Sequence, residues 1–228
     1  EGRPATQMPA FGEALGAEAV AALAAYVLRE PGTNPDWTEA DIRASRVDGP
    51  TEPVAPPPPV ADPLNMFVVV EAGDHHVTVL DGDRMEPVGR FASRFALHGG
   101  PKFTPDGRYV YFGSRDGWIT KFDLKTFRIV AEARAGINMR NIALSADGKW
   151  IAAANYLPAT IAILSADTLE PSKLFRVADA EGRSSRVSAI YQAPNRASFI
   201  AALKDVPEVW EIAPDPNAPP VYPRLVRS

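Results

Sequence analysis

The strongest constraint on the fold is a set of short landmarks that recur about every 40–45 residues after residue 64. Asp81, Asp123 and Asp167 each follow a short apolar run and lie 42 and 44 residues apart (123 − 81 and 167 − 123). Asp-Gly pairs at 106–107 and 147–148 lie 41 residues apart (147 − 106). A period of this length is typical of the four-stranded blades of a β-propeller.

The sequence between these landmarks predicts short strands. From residue 64 onward, runs rich in β-branched and aromatic residues alternate with Gly, Asp and Pro. About 150 residues of this texture hold three to four repeats, whereas closed propellers generally have four to eight blades. We therefore predict a mainly β chain that forms a partial propeller of about three to four four-stranded blades, with the ring incomplete at its carboxyl end.

Residues 13–30 are predicted to form a helix that ends at Pro31 and Gly32. Apolar side chains recur at the spacing of one helical face, so this stripe is expected to be buried. The chain before the helix is too short to cover it, which indicates the last part of a domain that begins outside this sequence. The stripe consists of Val20, Leu23, Ala24, Val27 and Leu28.

A proline-rich stretch separates this helix from the predicted strands. Residues 49–63 read GPTEPVAPPPPVADP, and such a run favours an extended, semi-rigid linker. Residues 37–47 are predicted to form a short helix with Thr38 as its N-cap and acidic residues in its first turn. The sequence thus predicts a terminal domain remnant over residues 1–31, a linker over 32–63 and blades over 64–228.

Composition excludes several classes of site. The chain has no cysteine, which rules out disulfides, thiolate zinc sites and a c-type haem attached within these residues. A net charge of −4 provides no broad basic field, so nucleic acid is not an expected partner. No uninterrupted apolar run is long enough for a transmembrane helix, and no membrane span is predicted.

The first residues resemble the last third of a class I cytochrome c. The segment Gln7-Met8-Pro9-Ala10-Phe11-Gly12 is followed by the predicted helix, as in that family. The motif alone leaves two readings of Met8 open, a haem ligand or a core methionine that fills a gap. The resemblance implies that Met8 is the sixth ligand of a haem c iron.

The predicted blades resemble the haem d1-binding propeller of the cytochrome cd1 family. The resemblance is carried by residues 95–98 (FALH), 105–110 (PDGRYV), 113–117 (GSRDG) and 118–124 (WITKFDL). A cytochrome c tail, a linker and such a propeller follow one another in that family, whose propeller has eight blades. The combination is more specific than any single blade motif.

The resemblance implies that His98 is the proximal ligand of the haem d1 iron. Neutral imidazole is a good axial ligand, and Gly99-Gly100 leaves space for a flat macrocycle. Without the resemblance, a lone histidine is more often a hydrogen-bonded structural residue. His75 and His76 are adjacent, would point to opposite faces of a strand, and are predicted to be surface or turn residues.

Haem d1 carries several carboxylates, which favours guanidinium donors near the propeller axis. Arg115, Arg140 and Arg186, spaced by 25 and 46 residues, are predicted to occupy corresponding regions of successive blades and to bind the macrocycle. Each could otherwise be a solvated arginine at a strand end. Tyr156 resembles an aromatic residue of the same pocket, and Lys204 is predicted to face the axis.

The family resemblance implies one of two oxidoreductase activities. Cytochrome cd1 nitrite reductase reduces nitrite to nitric oxide, whereas dihydro-haem d1 dehydrogenase oxidises a propionate of dihydro-haem d1 to an acrylate and passes electrons to haem c. Residues 70–76 (VEAGDHH) and 98–103 (HGGPKF) look closer to the dehydrogenase, which we favour. A non-catalytic propeller that acts as an interaction scaffold is the alternative from another class.

The same resemblance implies the setting of the protein. The catalytic residues of either enzyme are expected beyond Ser228, so the fragment by itself is predicted to be inactive. The expected cofactors are haem d1 or dihydro-haem d1, together with haem c. The expected location is the periplasm, and the expected partners are electron-transfer or haem d1 biosynthesis proteins of denitrification.

Overall fold

The computed structural model describes residues 10–29, 35–50, 59–60, 62–217 and 226–227, the last pair by its backbone only. Contacts divide the chain into two compact units, Glu1–Asn34 and Pro35–Ser228. Met8 lies outside the described residues.

In chain order the elements are α1 (Gly12–Leu28), α2 (Glu39–Ser45), β1 (Val47–Asp48), β2 (Met66–Glu71), β3 (His76–Asp81), β4 (Glu86–Ala92), β5 (Lys102–Phe103), β6 (Tyr109–Gly113), β7 (Trp118–Asp123), β8 (Arg128–Arg134), β9 (Asn138–Leu144), β10 (Trp150–Leu157), β11 (Thr160–Ser165), β12 (Pro171–Arg176), β13 (Val187–Ala193), β14 (Ser198–Leu203), β15 (Glu208–Ile212) and β16 (Val226–Arg227).

The second unit contains four antiparallel sheets that follow one another along the chain. The first is β2-β3-β4, and the second is β5-β6-β7-β8 with β1 added beside β8. The third is β9-β10-β11-β12 and the fourth is β13-β14-β15-β16. Successive strands pair within each sheet, as in propeller blades. The prediction of a mainly β partial propeller is confirmed, and four sheets match the upper end of the predicted number of blades.

Strand β10 shows why the sheets stack on one another. Ile151 and Ala153 pack into the apolar cluster between the second and third sheets, whereas Ala152 and Ala154 pack into the cluster between the third and fourth. Alternate side chains of a strand point to opposite faces, so a strand covered on both faces has a continuous apolar sequence. A further cluster around Val79 joins the first sheet to the second.

The repeated landmark is a turn that follows the next-to-last strand of each of the first three sheets in chain order. Asp81 and Asp123 end β3 and β7, and Oδ1 of each accepts hydrogen bonds from backbone N–H groups two and three residues later. Ser165 holds the equivalent position at the end of β11, where its hydroxyl accepts from the Thr168 N–H at 3.3 Å. The period is therefore 42 residues in both steps (123 − 81 and 165 − 123). Asp167 is therefore not the third member of this repeat, because the position equivalent to Asp81 and Asp123 is occupied by Ser165.

Residues 35–50 belong to the second unit, although the sequence analysis assigns residues 32–63 to a linker. The predicted N-cap is confirmed, since Thr38 forms a reciprocal capping box with Asp41 at the start of α2. Ile42 is fully buried in the cluster between the second and third sheets, and the Trp37 indole donates to the Arg134 carbonyl at 2.8 Å. A short helix with a single buried side chain has no apolar periodicity, so the sequence gives no sign of this docking.

Helix α1 confirms the predicted helix but not the predicted burial. No residue of α1 is buried, and Val27 and Leu28 are largely exposed. Gly16 interrupts the helical geometry with φ of +73° and ψ of 162°, a backbone conformation that suits glycine. The first unit contains no other described element that could cover the stripe. No helix in the described ranges is long and apolar enough to cross a membrane.

Replacing Ile42 with Ala is expected to destabilise the second unit by about 2–4 kcal/mol, because the change leaves a cavity between two sheets. Denaturant-induced unfolding followed by tryptophan fluorescence would measure the loss. Val47→Ala is the matched control, because Val47 is half exposed on β1 and its truncation leaves no cavity. Equal destabilisation by the two substitutions would contradict a docked α2.

Candidate functional site

His98 lies in the segment that connects β4 to β5 and runs beside the end of β6. Its backbone N–H donates to the Gly113 carbonyl at 2.8 Å, which extends the edge of the second sheet. A side chain at Gly99 would lie 2.5 Å from Cβ of Asn141, so the chain passes too close to β9 for any larger residue. These constraints bring the His98 ring against the third sheet.

Both nitrogens of the His98 ring are hydrogen-bonded to Arg140 on β9. The ring Nδ1 lies 2.7 Å from the Arg140 carbonyl oxygen, and Nη1 of Arg140 lies 2.8 Å from the ring Nε2. A guanidinium can only donate, so Nε2 must accept and Nδ1 must carry the proton. This geometry matches the Nδ1–H tautomer of a neutral imidazole, whose lone pair is on Nε2.

The His98 ring lines a cavity of about 370 Å³. Val68 and Val70 of β2 and Phe112 of β6 form apolar parts of its wall, and the two glycines after His98 complete one side. A larger cavity, of about 430 Å³, lies where residues 59–66 meet residues 106–108, and none of the predicted site residues lines it. The predicted site residues and this larger cavity are thus in different places.

Lys102 holds the glycine turn after His98. Its ammonium group donates to the carbonyl oxygens of Gly99 and Gly100 at 2.7 and 2.9 Å. Burial lowers the pKa of Lys102, because the charged form loses hydration. The sequence analysis does not select Lys102, since a lysine two residues after a glycine pair carries no distinctive pattern.

Tyr156, Arg186 and Lys204 come together where the third sheet meets the fourth. The guanidinium carbon of Arg186 lies 5.4 Å from the centre of the Tyr156 ring, and Nζ of Lys204 lies 5.5 Å from it. The backbone N–H of Lys204 donates to the Arg186 carbonyl at 2.9 Å. Both cations are within the range of cation–π attraction.

Asp205 partly neutralises this second group. Arg186 donates from Nε and Nη2 to the two carboxylate oxygens at 2.9 and 2.6 Å. The side-chain hydrogen bond from Arg186, followed by its backbone hydrogen bond, lowers the pKa of Asp205 to about 2. The carboxylate therefore stays ionised at all ordinary pH values, and one cation is left on Lys204.

Arg115 does not occupy the position predicted from the spacing of the arginines. It lies in the turn between β6 and β7, whereas Arg140 is on β9 and Arg186 directly precedes β13. The residue that precedes Arg140 by 42 positions (140 − 98), the period of the turns, is His98. The prediction that the three arginines occupy corresponding positions is therefore wrong for Arg115. Arg115 lies in a turn within its sheet, whereas Arg140 lies in, and Arg186 directly before, the first strand of a sheet.

Arg115 nevertheless lies near His98 and Arg140. Its backbone N–H donates to the Ala96 carbonyl, and its carbonyl accepts from Met139, both at 3.1 Å. Its half-buried side chain forms no hydrogen bond or ion pair with any described residue.

The two groups of residues are joined through the backbone of β9 and β10. Met139 and Asn138 pair with Asn155 and Leu157, which places Arg140 and Tyr156 on adjacent strands. The Asn138 side-chain oxygen is buried and has no hydrogen-bond partner within the described ranges. A buried acceptor without a donor is costly, so it marks a place where a ligand or a water would be favoured. The sequence analysis misses Asn138, because no motif distinguishes it.

The other two histidines lie at the start of β3, and Nδ1 of His75 accepts from the Ala96 N–H at 3.5 Å, two residues before His98. His75 is in a turn with φ of +58°, and its ring centre is 5.2 Å from that of Phe95. Nδ1 of His76 lies 2.9 Å from the Asp74 carbonyl oxygen. The prediction of turn or surface residues agrees with the turn position of His75, whereas His76 is the first residue of β3 and is partly buried.

Replacing Arg186 with Gln is expected to raise the pKa of Asp205 from about 2 towards the ordinary value of 3.8. The folded-state pKa is lower than that of the unfolded chain, so the pair stabilises the fold above about pH 4 and loses this effect as the pH falls through about 2. A carboxyl NMR titration would measure both midpoints. Glu71, whose pKa of about 2 depends on Arg90, should not change. An unchanged Asp205 midpoint would contradict the assignment.

Comparison with known proteins gives consistent results. Residues 61–224 match the family described as "Cytochrome D1 heme domain". The chain is 55% identical over 225 residues to "Dihydro-heme d1 dehydrogenase" of Pseudomonas aeruginosa, which covers 98% of this chain and 45% of that protein. It is 27% identical over 210 residues to a "Nitrite reductase" of Stutzerimonas stutzeri, which covers 89% of this chain and 36% of that protein.

A solved structure agrees with the sequence relatives. The structure of "Dihydro-heme d1 dehydrogenase NirN in complex with DHE" superposes with a TM-score of 0.86 and 53% identity, over 99% of this chain and 49% of that one. The chain thus spans about half the length of the relatives that it matches. The family match covers residues 61–224, which include the sheets on both sides of His98. The chain therefore belongs to the cytochrome D1 haem domain family.

Proposed function

We propose that this chain binds a tetrapyrrole of the haem d1 type, with Nε2 of His98 as an axial ligand of its iron. The observation that carries the proposal is the pair of hydrogen bonds to Arg140, which leaves Nε2 as the unprotonated nitrogen of a neutral imidazole. Iron ligation requires this state of the ring. Membership of the family and the bound DHE of the dehydrogenase relative support the proposal.

The residues around His98 fit such a ligand. Arg115, Arg140, Arg186 and Lys204 provide cationic donors for carboxylates, and Tyr156 provides an aromatic surface between two of them. Within the described ranges, no three His, Cys, Asp or Glu side chains could hold a metal ion by themselves. An iron at His98 would therefore depend on a macrocycle for its other ligands.

The contribution of the protein is to position the macrocycle. His98 would fix the iron, the guanidinium groups would orient the carboxylates, and Val68, Val70 and Phe112 would exclude water from one side. When bound, the tetrapyrrole supplies the redox chemistry.

We further propose that the natural protein containing this chain is a dihydro-haem d1 dehydrogenase. Its identity to the dehydrogenase of Pseudomonas aeruginosa is twice its identity to the nitrite reductase, over similar lengths. The reaction would remove two electrons and two protons from a propionate side chain and leave an acrylate. The electrons would pass to haem c, with Met8 as the proposed sixth ligand of that iron.

The remaining predictions follow from this function. Residues 1–31 would be the end of a cytochrome c domain, and residues 64–228 would be the first blades of the haem d1-binding propeller. The protein would work in the periplasm and meet electron-transfer or haem d1 biosynthesis proteins there. Each of these points rests on the relatives rather than on a contact within the described chain.

Replacing His98 with Ala is expected to abolish axial ligation, because no other described residue of the cavity wall has an imidazole. Absorption spectroscopy of the natural protein mixed with haem d1 would follow the shift of the d1 bands. His76→Ala is the control, since the His76 ring bonds to the Asp74 carbonyl and does not line the cavity, and it should leave the shift unchanged. A scaffold without a cofactor would show no shift in any variant, and this result would reject the proposal.

Activity distinguishes the two enzymes. The natural protein, supplied with dihydro-haem d1 and an oxidised electron acceptor, is expected to yield a product that lacks two hydrogen atoms, as measured by mass spectrometry. Supplied instead with nitrite and a reductant, it is expected to form no nitric oxide. The reverse pair of results would assign the nitrite reductase activity.

A further inference from the structure

We propose that Arg140 is a latch on His98 that opens more readily for tetrapyrroles bearing carboxylates than for those without them. In the structure, the guanidinium occupies the one lone pair that His98 could offer to iron, at 2.8 Å. The inference rests on the proposed role of His98 as an iron ligand and adds a reason for selectivity. Arg140 would thus be a specificity-determining residue as well as a cationic donor.

The hydrogen bond and the iron bond are mutually exclusive. An imidazole in this tautomer has a single lone pair in the ring plane, on Nε2. The ring cannot turn over to offer its other nitrogen, since Nδ1–H donates to the Arg140 carbonyl at 2.7 Å. Ligation therefore requires the Arg140 side chain to move while its backbone stays.

Arg140 has no anionic partner to hold it elsewhere. Several other arginines of these sheets pair with carboxylates, as Arg186 does with Asp205, Arg94 with Glu132 and Arg90 with Glu71. Within the described residues, the Arg140 side chain bonds only to the neutral imidazole. A half-buried cation satisfied only by a neutral acceptor is expected to exchange readily for a carboxylate.

The exchange favours an anionic ligand. A charge-assisted, bidentate contact with a carboxylate is stronger than a single hydrogen bond to a neutral ring. A macrocycle with carboxylates would draw the guanidinium away and expose Nε2 in the same movement. A macrocycle without carboxylates would have to break the hydrogen bond with no compensation, at a cost of about tenfold in affinity.

Arg115 provides a matched comparison. It is also half-buried and lacks a described anionic partner, yet it forms no contact with the His98 ring. Arg115 would therefore only donate hydrogen bonds to a carboxylate of the ligand. Its removal should weaken the binding of carboxylate-bearing ligands without helping any other ligand.

The test uses two zinc porphyrins that differ in charge. Zinc deuteroporphyrin has two propionates, and zinc etioporphyrin has none. Zinc takes one axial imidazole, and the emission of zinc porphyrins remains observable beside a non-fluorescent haem c. The natural protein, prepared with an empty propeller, would be titrated with each probe, and the spectral shift on axial ligation gives the dissociation constants.

The natural protein is expected to ligate the carboxylate probe at least tenfold more tightly than the uncharged probe. In Arg140→Ala and Arg140→Met, the uncharged probe should bind about tenfold more tightly than it does to the unchanged protein. Arg115→Gln should weaken the carboxylate probe alone. If removal of Arg140 weakens the carboxylate probe and does not improve the uncharged one, Arg140 is a simple anchor and the latch is rejected.

Two further results separate the latch from the proposed function. If neither probe is ligated, or if His98→Ala does not abolish the shift, the role of His98 fails. If both probes are ligated equally by the unchanged protein, the latch alone fails. Nitrogen NMR of the ligand-free protein tests the latch without any variant, because it requires a proton on Nδ1 of His98 and none on Nε2.

Discussion

The structure depends on strands that are apolar on both faces. In β11, Ile161 and Ile163 pack towards the fourth sheet, while Ala162 and Leu164 pack towards the second. A sheet of this kind is not stable alone in water, so each one requires a neighbour on either side. This stacking fixes the distance between the edges of adjacent sheets. It also brings His98 close enough to bond Arg140 in the next sheet through both ring nitrogens.

The charges at this edge are unevenly compensated. Arg186 is neutralised by Asp205, whereas Arg115 and Arg140 lack a carboxylate partner among the described residues. Unpaired cations in a half-buried position are unfavourable for folding alone. An anionic ligand would compensate these charges. The excess positive charge matches a polycarboxylate.

The sequence predicts the repeated strands and turns better than their connections. Met85, Phe127 and Leu169 all have positive φ, and they follow Asp81, Asp123 and Ser165 by four residues each. Glycine would have revealed this turn, but these large residues conceal it. The docking of α2 was hidden because it depends on one buried side chain, Ile42. His98 could be selected from a family resemblance, but its bond to Arg140 depends on how two sheets pack.

The 42-residue period also explains which site residues meet. His98 and Arg140 are separated by one turn period (140 − 98), and they lie at corresponding edges of the second and third sheets. Corresponding positions of adjacent blades face each other near the axis of a propeller, so a histidine at one and an arginine at the next are placed to interact. Arg186 follows 46 residues later (186 − 140), at the edge of the fourth sheet. The repeat thus produces the contacts, and the differences between its copies produce the chemistry, because one copy supplies an imidazole and two supply guanidinium groups.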